Sequence, residues 1–204
     1  MKTGILGGTF NPIHNGHLAV AEEVKSRLSL DEILFVPAGQ PWRKWGNPVL
    51  PAEHRVEMLR LAIADKSYYR LSLIEVEREG PSYTLDTLTE LSSGSGAESE
   101  IFFIVGWDSL TDLPYWKSPE QIIQLCRLVA VHRPGYSRPA LESLEMQVPG
   151  ISGRVVLLDR PVVDISASEI RERVARGLPI SGLVPEAVEQ YIRENGLYTT
   201  AEGM

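Results

Sequence analysis

A short apolar run, Lys2–Leu6, passes directly into Gly7-Gly8, and the chain resumes at Gly16 with apolar residues at near-helical spacing: Leu18, Val20, Ala21, Val24 and Leu28. A strand that ends on a glycine turn and leads into an amphipathic helix commits the chain to few architectures. A parallel neighbour strand can then be reached only by crossing over the sheet through that helix. The alternation continues. Glu32–Val36 reads as a strand stopped by Pro37, and Ala52–Ala64 returns to helical spacing through Val56, Leu59, Leu61 and Ile63. Arg70–Ile74 reads as a strand, and Pro81-Ser82-Tyr83 opens a helix with Leu85 and Leu88 on its apolar face. Ile101–Val105, ended by Gly106, Leu128–Val131, ended by His132-Arg133-Pro134-Gly135, and Arg154–Leu158 complete the strands. Ser168–Ala175 and Pro185–Asn195 read as late helices, the second ended by Gly196. Gln40–Pro51 and Ser92–Ser99 read as loops.

Strands alternating with helices predict an α/β fold, a Rossmann-like doubly wound parallel sheet with helices on both faces. A small C-terminal helical extension is expected over about 166–198, within a single domain spanning residues 1–204. In such sheets ligands bind beyond the carboxyl ends of the strands, where strand order reverses. The punctuation after the strands therefore marks the expected site.

Charge and hydropathy limit the partners. The net charge is -7, and 43% of the residues are hydrophobic. Such an acidic chain offers no general basic field for nucleic acid. No apolar run approaches the ~20 residues that span a bilayer, so no membrane partner is expected, and the early glycines leave no secretory apolar core. Cys126 is the only cysteine, which excludes an intramolecular disulfide and suits a cytoplasmic protein. Its apolar neighbours Leu125 and Leu128 predict an inert thiol. A polyanion can still be bound, provided that positive groups are gathered locally from Lys, Arg, helix N-termini and backbone N–H groups.

The segment Gly7-Gly8-Thr9-Phe10-Asn11-Pro12-Ile13-His14-Asn15-Gly16-His17 supplies such a gathering. Gly7 and Gly8 admit a ligand close to the backbone, and their N–H groups, with that of Thr9, are suited to phosphate oxygens. His14 and His17 share one face at the helix start, where the helix dipole favours an anion. Gly7-Gly8 taken alone reads equally well as a plain turn. The two histidines read alternatively as a metal pair, but zinc wants three or four ligands, and neither His54 nor His132 stands in metal-ligand spacing. The combination favours phosphate, with no metal site built from protein residues.

Gly7–Leu18 resembles the signature of the nicotinate-nucleotide adenylyltransferase family, in the nucleotidylyltransferase superfamily, whose hallmark is this histidine pair. The family usually has Asp where this chain has Asn11, a change expected to be a loop variation. Four further segments resemble the family in order: Pro81-Ser82-Tyr83-Thr84-Leu85-Asp86-Thr87-Leu88, Ile104-Val105-Gly106-Trp107-Asp108-Ser109-Leu110, Pro114-Tyr115-Trp116-Lys117 and Ile165-Ser166-Ala167-Ser168-Glu169-Ile170-Arg171. The resemblance implies transfer of the adenylyl group of ATP to nicotinate mononucleotide, giving deamido-NAD and pyrophosphate. It assigns ATP to Gly7, Gly8, Thr9, Phe10, His17, Gly106, Asp108, Ser166, Ser168, Ile170 and Arg171. It assigns the mononucleotide to Gly8, Thr9, Lys44, Thr84, Trp116, Lys117 and Arg133, with Trp116 as the platform for the pyridine ring. His14, His17, Lys44 and Arg171 are the implied catalytic groups, and Mg²⁺ is expected to be carried mainly by ATP itself.

Plainer readings stand beside these. Ser168 is suited to cap the helix that follows it, and Asp108 to cap a short helix over Ser109–Leu113. Trp107, where a smaller residue is expected, has the bulk to close an empty cleft. Trp116, in a Pro-rich stretch, is less suited to a core role than a strand tryptophan. Trp42 and Trp45 serve equally as packing anchors of the Gln40–Pro51 loop, which reads as a lid carrying Arg43 and Lys44. Rival readings of the whole are the same reaction on nicotinamide mononucleotide, on phosphopantetheine (whose enzymes typically carry threonine at the position of His14), or a nucleotide-sensing module without turnover. Homo-oligomerisation is left open.

Overall fold

The computed structural model describes residues 1–40, 49–94 and 99–199. Six strands form one sheet: β1 (Lys2–Gly8), β2 (Glu32–Pro37), β3 (Tyr69–Leu71), β4 (Glu100–Gly106), β5 (Arg127–Val131) and β6 (Val155–Leu158). Their order is β3-β2-β1-β4-β5-β6, and every neighbouring pair is parallel. The chain winds outward from β1 through β2 to β3, then returns to the other side of β1 with β4. The order therefore reverses between β1 and β4, and the crevice falls at their carboxyl ends, Gly8 and Gly106.

The strands alternate between two cores. In β4, Phe102 and Ile104 pack with Leu6, Phe35, Val129 and Val131, while Ile101 and Phe103 pack with Ile5, Val36, Leu128 and Ala130. This period of two puts an apolar layer on each face. The first layer is closed by α1 (Asn15–Leu28), through Ala21 and Val24, and by α2 (Ala52–Ile63), through Met58 and Leu59. Two late helices complete it: α8 (Ala167–Ala175) through Ile170 and α9 (Glu186–Glu194) through Val188 and Ile192. The second layer is closed by α4 (Thr84–Gly94), α5 (Trp107–Thr111), α6 (Pro119–Leu125) and α7 (Leu141–Gln147), with α3 (Ile74–Glu77) beside β2. No helix of the described residues is long and apolar enough to cross a membrane.

Several element boundaries differ from expectation. The strand expected at Arg70–Ile74 ends at Leu71, and Ile74 starts a helical turn. The Ser72 N–H donates to the Phe35 carbonyl, and the next rung would need an N–H at position 37, which is proline. Ser92 and Ser93, expected in a loop, extend α4 by turning their hydroxyls back onto the carbonyls of Leu88 (2.7 Å) and Thr89 (2.8 Å). Ser166, not Ser168, caps α8: its Oγ accepts the Glu169 N–H at 3.1 Å, which leaves Ser168 inside the first turn.

Candidate active site

A cleft of about 510 Å³ opens where β1 and β4 end. It has the size of a small-molecule site. Gly7, Gly8, Thr9, Phe10, His14 and His17 line it from the first strand–helix junction. The Phe10 ring is buried, tilted toward Phe35 and edge-on to His17. His14 is the N-cap of α1, and its ring stacks on that of His17 with centroids 3.7 Å apart. The His14 backbone N–H donates to His17 Nδ1 at 3.3 Å. An accepting Nδ1 carries no hydrogen, so the neutral His17 ring holds its proton on Nε2 and is a donor there. Burial, reinforced by the nearby Arg133 charge, lowers the His14 pKa to about 4. His14 is therefore a neutral imidazole at pH 7, and its buried Nδ1 has no hydrogen-bond partner among the described residues.

The β4 end supplies the second wall. Gly106 is the N-cap of α5, so Asp108 lies in the first turn of that helix and does not cap it. A Cβ on Gly106 would collide with Asp108 Oδ1, so the bare side of this glycine is already filled by the carboxylate. Asp108 Oδ2 receives Arg133 Nη1 at 2.8 Å, and both side chains line the cleft. Trp107 does not close the cleft. Its indole is buried in the second core, donates Nε1–H to the Ala130 carbonyl at 3.2 Å, and meets His132 edge-on at 4.4 Å. In an α5 that starts at Trp107, the first side chain falls on the sheet-facing side.

Along another wall, Thr84 at the start of α4, Trp116 and Lys117 all line the cleft. Trp116 packs edge-on against Phe103 at 6.3 Å and joins the border of the second core, so it combines a core contact with an exposed face. Lys117 Nζ is held by Asp86 at 2.8 and 3.0 Å. On the opposite flank, Ser166 and Ser168 line the cleft. Ile170 does not: its side chain is fully buried in the first core, where it anchors the turn that presents the two serines. Arg171 stands behind this wall. Its Nη1 donates to the Asn11 carbonyl at 3.0 Å and its Nη2 to Ser168 Oγ at 3.3 Å. Lys44, with Trp42, Arg43 and Trp45, lies outside the described residues.

Four site features were not anticipated. Asn11, expected to be a loop variation, is buried and structural: its Oδ1 accepts the Tyr198 hydroxyl at 2.9 Å and the Leu50 N–H at 3.4 Å. Arg55 is a buried guanidinium behind the β1 loop. Its signal lay in α2, where it precedes the core residues Met58 and Leu59 by three and four positions and so shares their inward face. Glu75 lines the cleft near Ser82, accepts the Thr87 hydroxyl at 2.7 Å, and has its pKa raised, chiefly by burial. His132 also lines the cleft. Among the described residues, no group of three or more His, Cys, Asp or Glu could hold a metal ion.

The cytidylyltransferase-like family model matches residues 5–173. A probable nicotinate-nucleotide adenylyltransferase of Dehalococcoides mccartyi (strain CBDB1) is 50% identical over 198 residues, covering 97% of this chain and 97% of that protein. Another, from Thermomicrobium roseum, is 45% identical over 203 residues, covering 100% of this chain and 94% of that one. Among solved structures, the Plasmodium falciparum nicotinic acid mononucleotide adenylyltransferase complexed with NaAD is similar with a TM-score of 0.77. It is 21% identical and covers 97% of each chain, a likeness of fold.

Proposed function

The chain belongs to the cytidylyltransferase-like family and, within it, to the nicotinate-nucleotide adenylyltransferases, and from that premise we propose how its cleft moves the adenylyl group of ATP onto nicotinate mononucleotide. The observation that carries the assignment is the stacked pair His14 and His17 facing the same cleft as the β1 loop, the Ser166–Ser168 turn and the Trp116–Thr84 wall. One end is equipped for a triphosphate and the other for a flat ring bearing a carboxylate.

The acceptor's 5′-phosphate is an anion at neutral pH, because the second pKa of a phosphate monoester is about 6. No general base is needed. One of its oxygens attacks the α-phosphorus of ATP in line. The new P–O bond forms as the bond from that phosphorus to the bridging β-phosphate oxygen breaks, and pyrophosphate leaves with the electron pair. The protein's task is alignment and stabilisation of charge on the five-coordinate phosphorus. His17 donates through Nε2–H, and neutral His14 contributes a dipole that does not change its protonation near pH 7. Ser166, Ser168 and the α8 N-terminus take the leaving pyrophosphate, with Arg171 holding the Ser168 hydroxyl and the Asn11 carbonyl in place. Arg133 answers the incoming phosphate by exchanging its Asp108 partner for it. Trp116 stacks on the ring, and Thr84 with the Lys117 backbone N–H receives its carboxylate.

The donor set suits a Mg²⁺ ion delivered with ATP: Asp108 is the cleft carboxylate with a buried oxygen, Oδ1, that has no hydrogen-bond partner among the described residues. When bound, the ion would neutralise charge on the phosphates. The thiol of Cys126 is buried, and burial raises its pKa to about 12, so it is inert and takes no part in the transfer. Initial rates with nicotinate mononucleotide, nicotinamide mononucleotide and phosphopantetheine test the acceptor. The acid is expected to be fastest, and a faster rate with either alternative overturns the assignment.

A further inference from the structure

Arg55 is 2% exposed, and the described residues offer it no carboxylate ion pair. Its charge is spent on backbone carbonyls. Nη1 donates to Thr9 O at 2.9 Å, Nε to Leu50 O at 2.9 Å, and Nη2 makes a long contact of 3.5 Å with Gly39 O. Burying a guanidinium is costly unless its donors are satisfied. A core arginine that serves only packing would be replaceable by a hydrocarbon side chain of similar volume. This one instead joins three chain segments, each of which belongs to a wall of the cleft or abuts one.

The peptide geometry gives the contact a direction. The Thr9–Phe10 peptide is trans, so its carbonyl and its N–H point oppositely. With Thr9 O fixed on the guanidinium, the Phe10 N–H points away from Arg55, and Thr9 and Phe10 line the cleft. Phe10 itself adopts φ 49, a left-handed backbone that a phenylalanine seldom takes without being held there. The third carbonyl extends the tie to the acceptor wall. The Gly39 N–H donates to Ser82 Oγ at 3.0 Å, and the Ser82 N–H donates to the Gln40 carbonyl at 3.0 Å. A Cβ at Gly39 would run into the Glu75 carbonyl, so Gly39 is also wedged against α3.

We propose that Arg55 is a positioning residue that sets the phosphate-binding loop before substrate arrives, aiming the Phe10 N–H at the ATP phosphates and fixing that loop in register with the acceptor wall through Gly39 and Ser82. The consequence for rate rests on the adenylyl transfer proposed above, whereas the aim of the Phe10 amide does not. A misdirected amide costs transition-state alignment more than ground-state affinity.

The experiment pairs two variants with one measurement on the unaltered protein. In Arg55→Met, kcat is expected to fall on the order of 10–100-fold while KM for ATP changes by less than about threefold. Arg55→Lys, which keeps the charge but reaches fewer carbonyls, should recover part of that loss. A purely structural arginine would lower the melting temperature and leave kcat of the folded protein within about twofold of the parent, which overturns the proposal. If neither variant folds, the ¹⁵N-labelled parent decides. Its Phe10 amide resonance must move on titration with ATP, and an unmoved Phe10 amide beside shifting neighbours overturns the proposal. A parent that shifts Phe10 with ATP yet makes no deamido-NAD would refute the function and leave this inference standing.

Discussion

At His14, burial and the Arg133 charge act in the same direction, and the resulting neutral imidazole has a cost that depends on pH. The folded-state pKa of about 4 lies below the ordinary imidazole value of 6.5, so the unfolded chain binds more protons between those values. Stability contributed at this site is therefore intact above about pH 6.5 and is lost as pH falls toward 4, by an amount on the order of 3 kcal/mol. Urea denaturation at pH 7 and pH 5 should show a drop in the parent that is smaller in His14→Gln. Equal drops would place the acid sensitivity elsewhere. For His17, whose Nε2–H is the designated donor, His17→Ala should lower kcat by about 10²–10³-fold with a smaller change in ATP affinity. Steady-state kinetics beside ATP titration separate the two, and unchanged kcat removes the assigned role. These histidines were legible because glycines, imidazoles and a helix start lie within one short segment. Arg55 and Glu75 were not, because their roles come from contacts with residues distant in the chain, and only the inward placement of Arg55 beside Met58 and Leu59 left a mark in the sequence.

At the scale of elements, the strands announced themselves through apolar runs, four of them followed by Gly or Pro punctuation, and each of the six formed in the expected region. The boundaries that moved did so for local hydrogen-bonding reasons: a proline ended the β2–β3 ladder, and serine hydroxyls prolonged α4. The short helices α6 and α7, with seven residues each, lack the length over which a helical period becomes visible. The β4–α5 junction shows how an element end can set side chains at the cleft. Gly106 leaves room for Asp108 Oδ1, and Asp108 in turn holds Arg133. Gly106→Ala should force the carboxylate aside and raise KM for ATP on the order of 10-fold, with the fold retained by circular dichroism. An unchanged KM would show that the Asp108 position is immaterial to nucleotide binding.

Across the whole molecule, the active-site loop is held by parts remote in sequence. Arg171 reaches the Asn11 carbonyl from α8, Tyr198 reaches Asn11 Oδ1 from beyond α9, and α9 packs on α2, which carries Arg55. The C-terminal helical part expected as an appendage is thus structural support for the first strand–helix junction, a role invisible to local pattern because its partners are more than 150 positions away. The parallel sheet and its reversal point were legible from the order of elements alone, since a doubly wound sheet leaves little choice of where its crevice opens. Adenylyl transfer requires this crevice to direct attack at the α-phosphorus of ATP. The most direct measurement is a ³¹P NMR time course of the protein with ATP, Mg²⁺ and nicotinate mononucleotide. Deamido-NAD and pyrophosphate should grow in equal amounts as both substrates decline. Formation of ADP or inorganic phosphate in their place, or no reaction by folded protein, would contradict it.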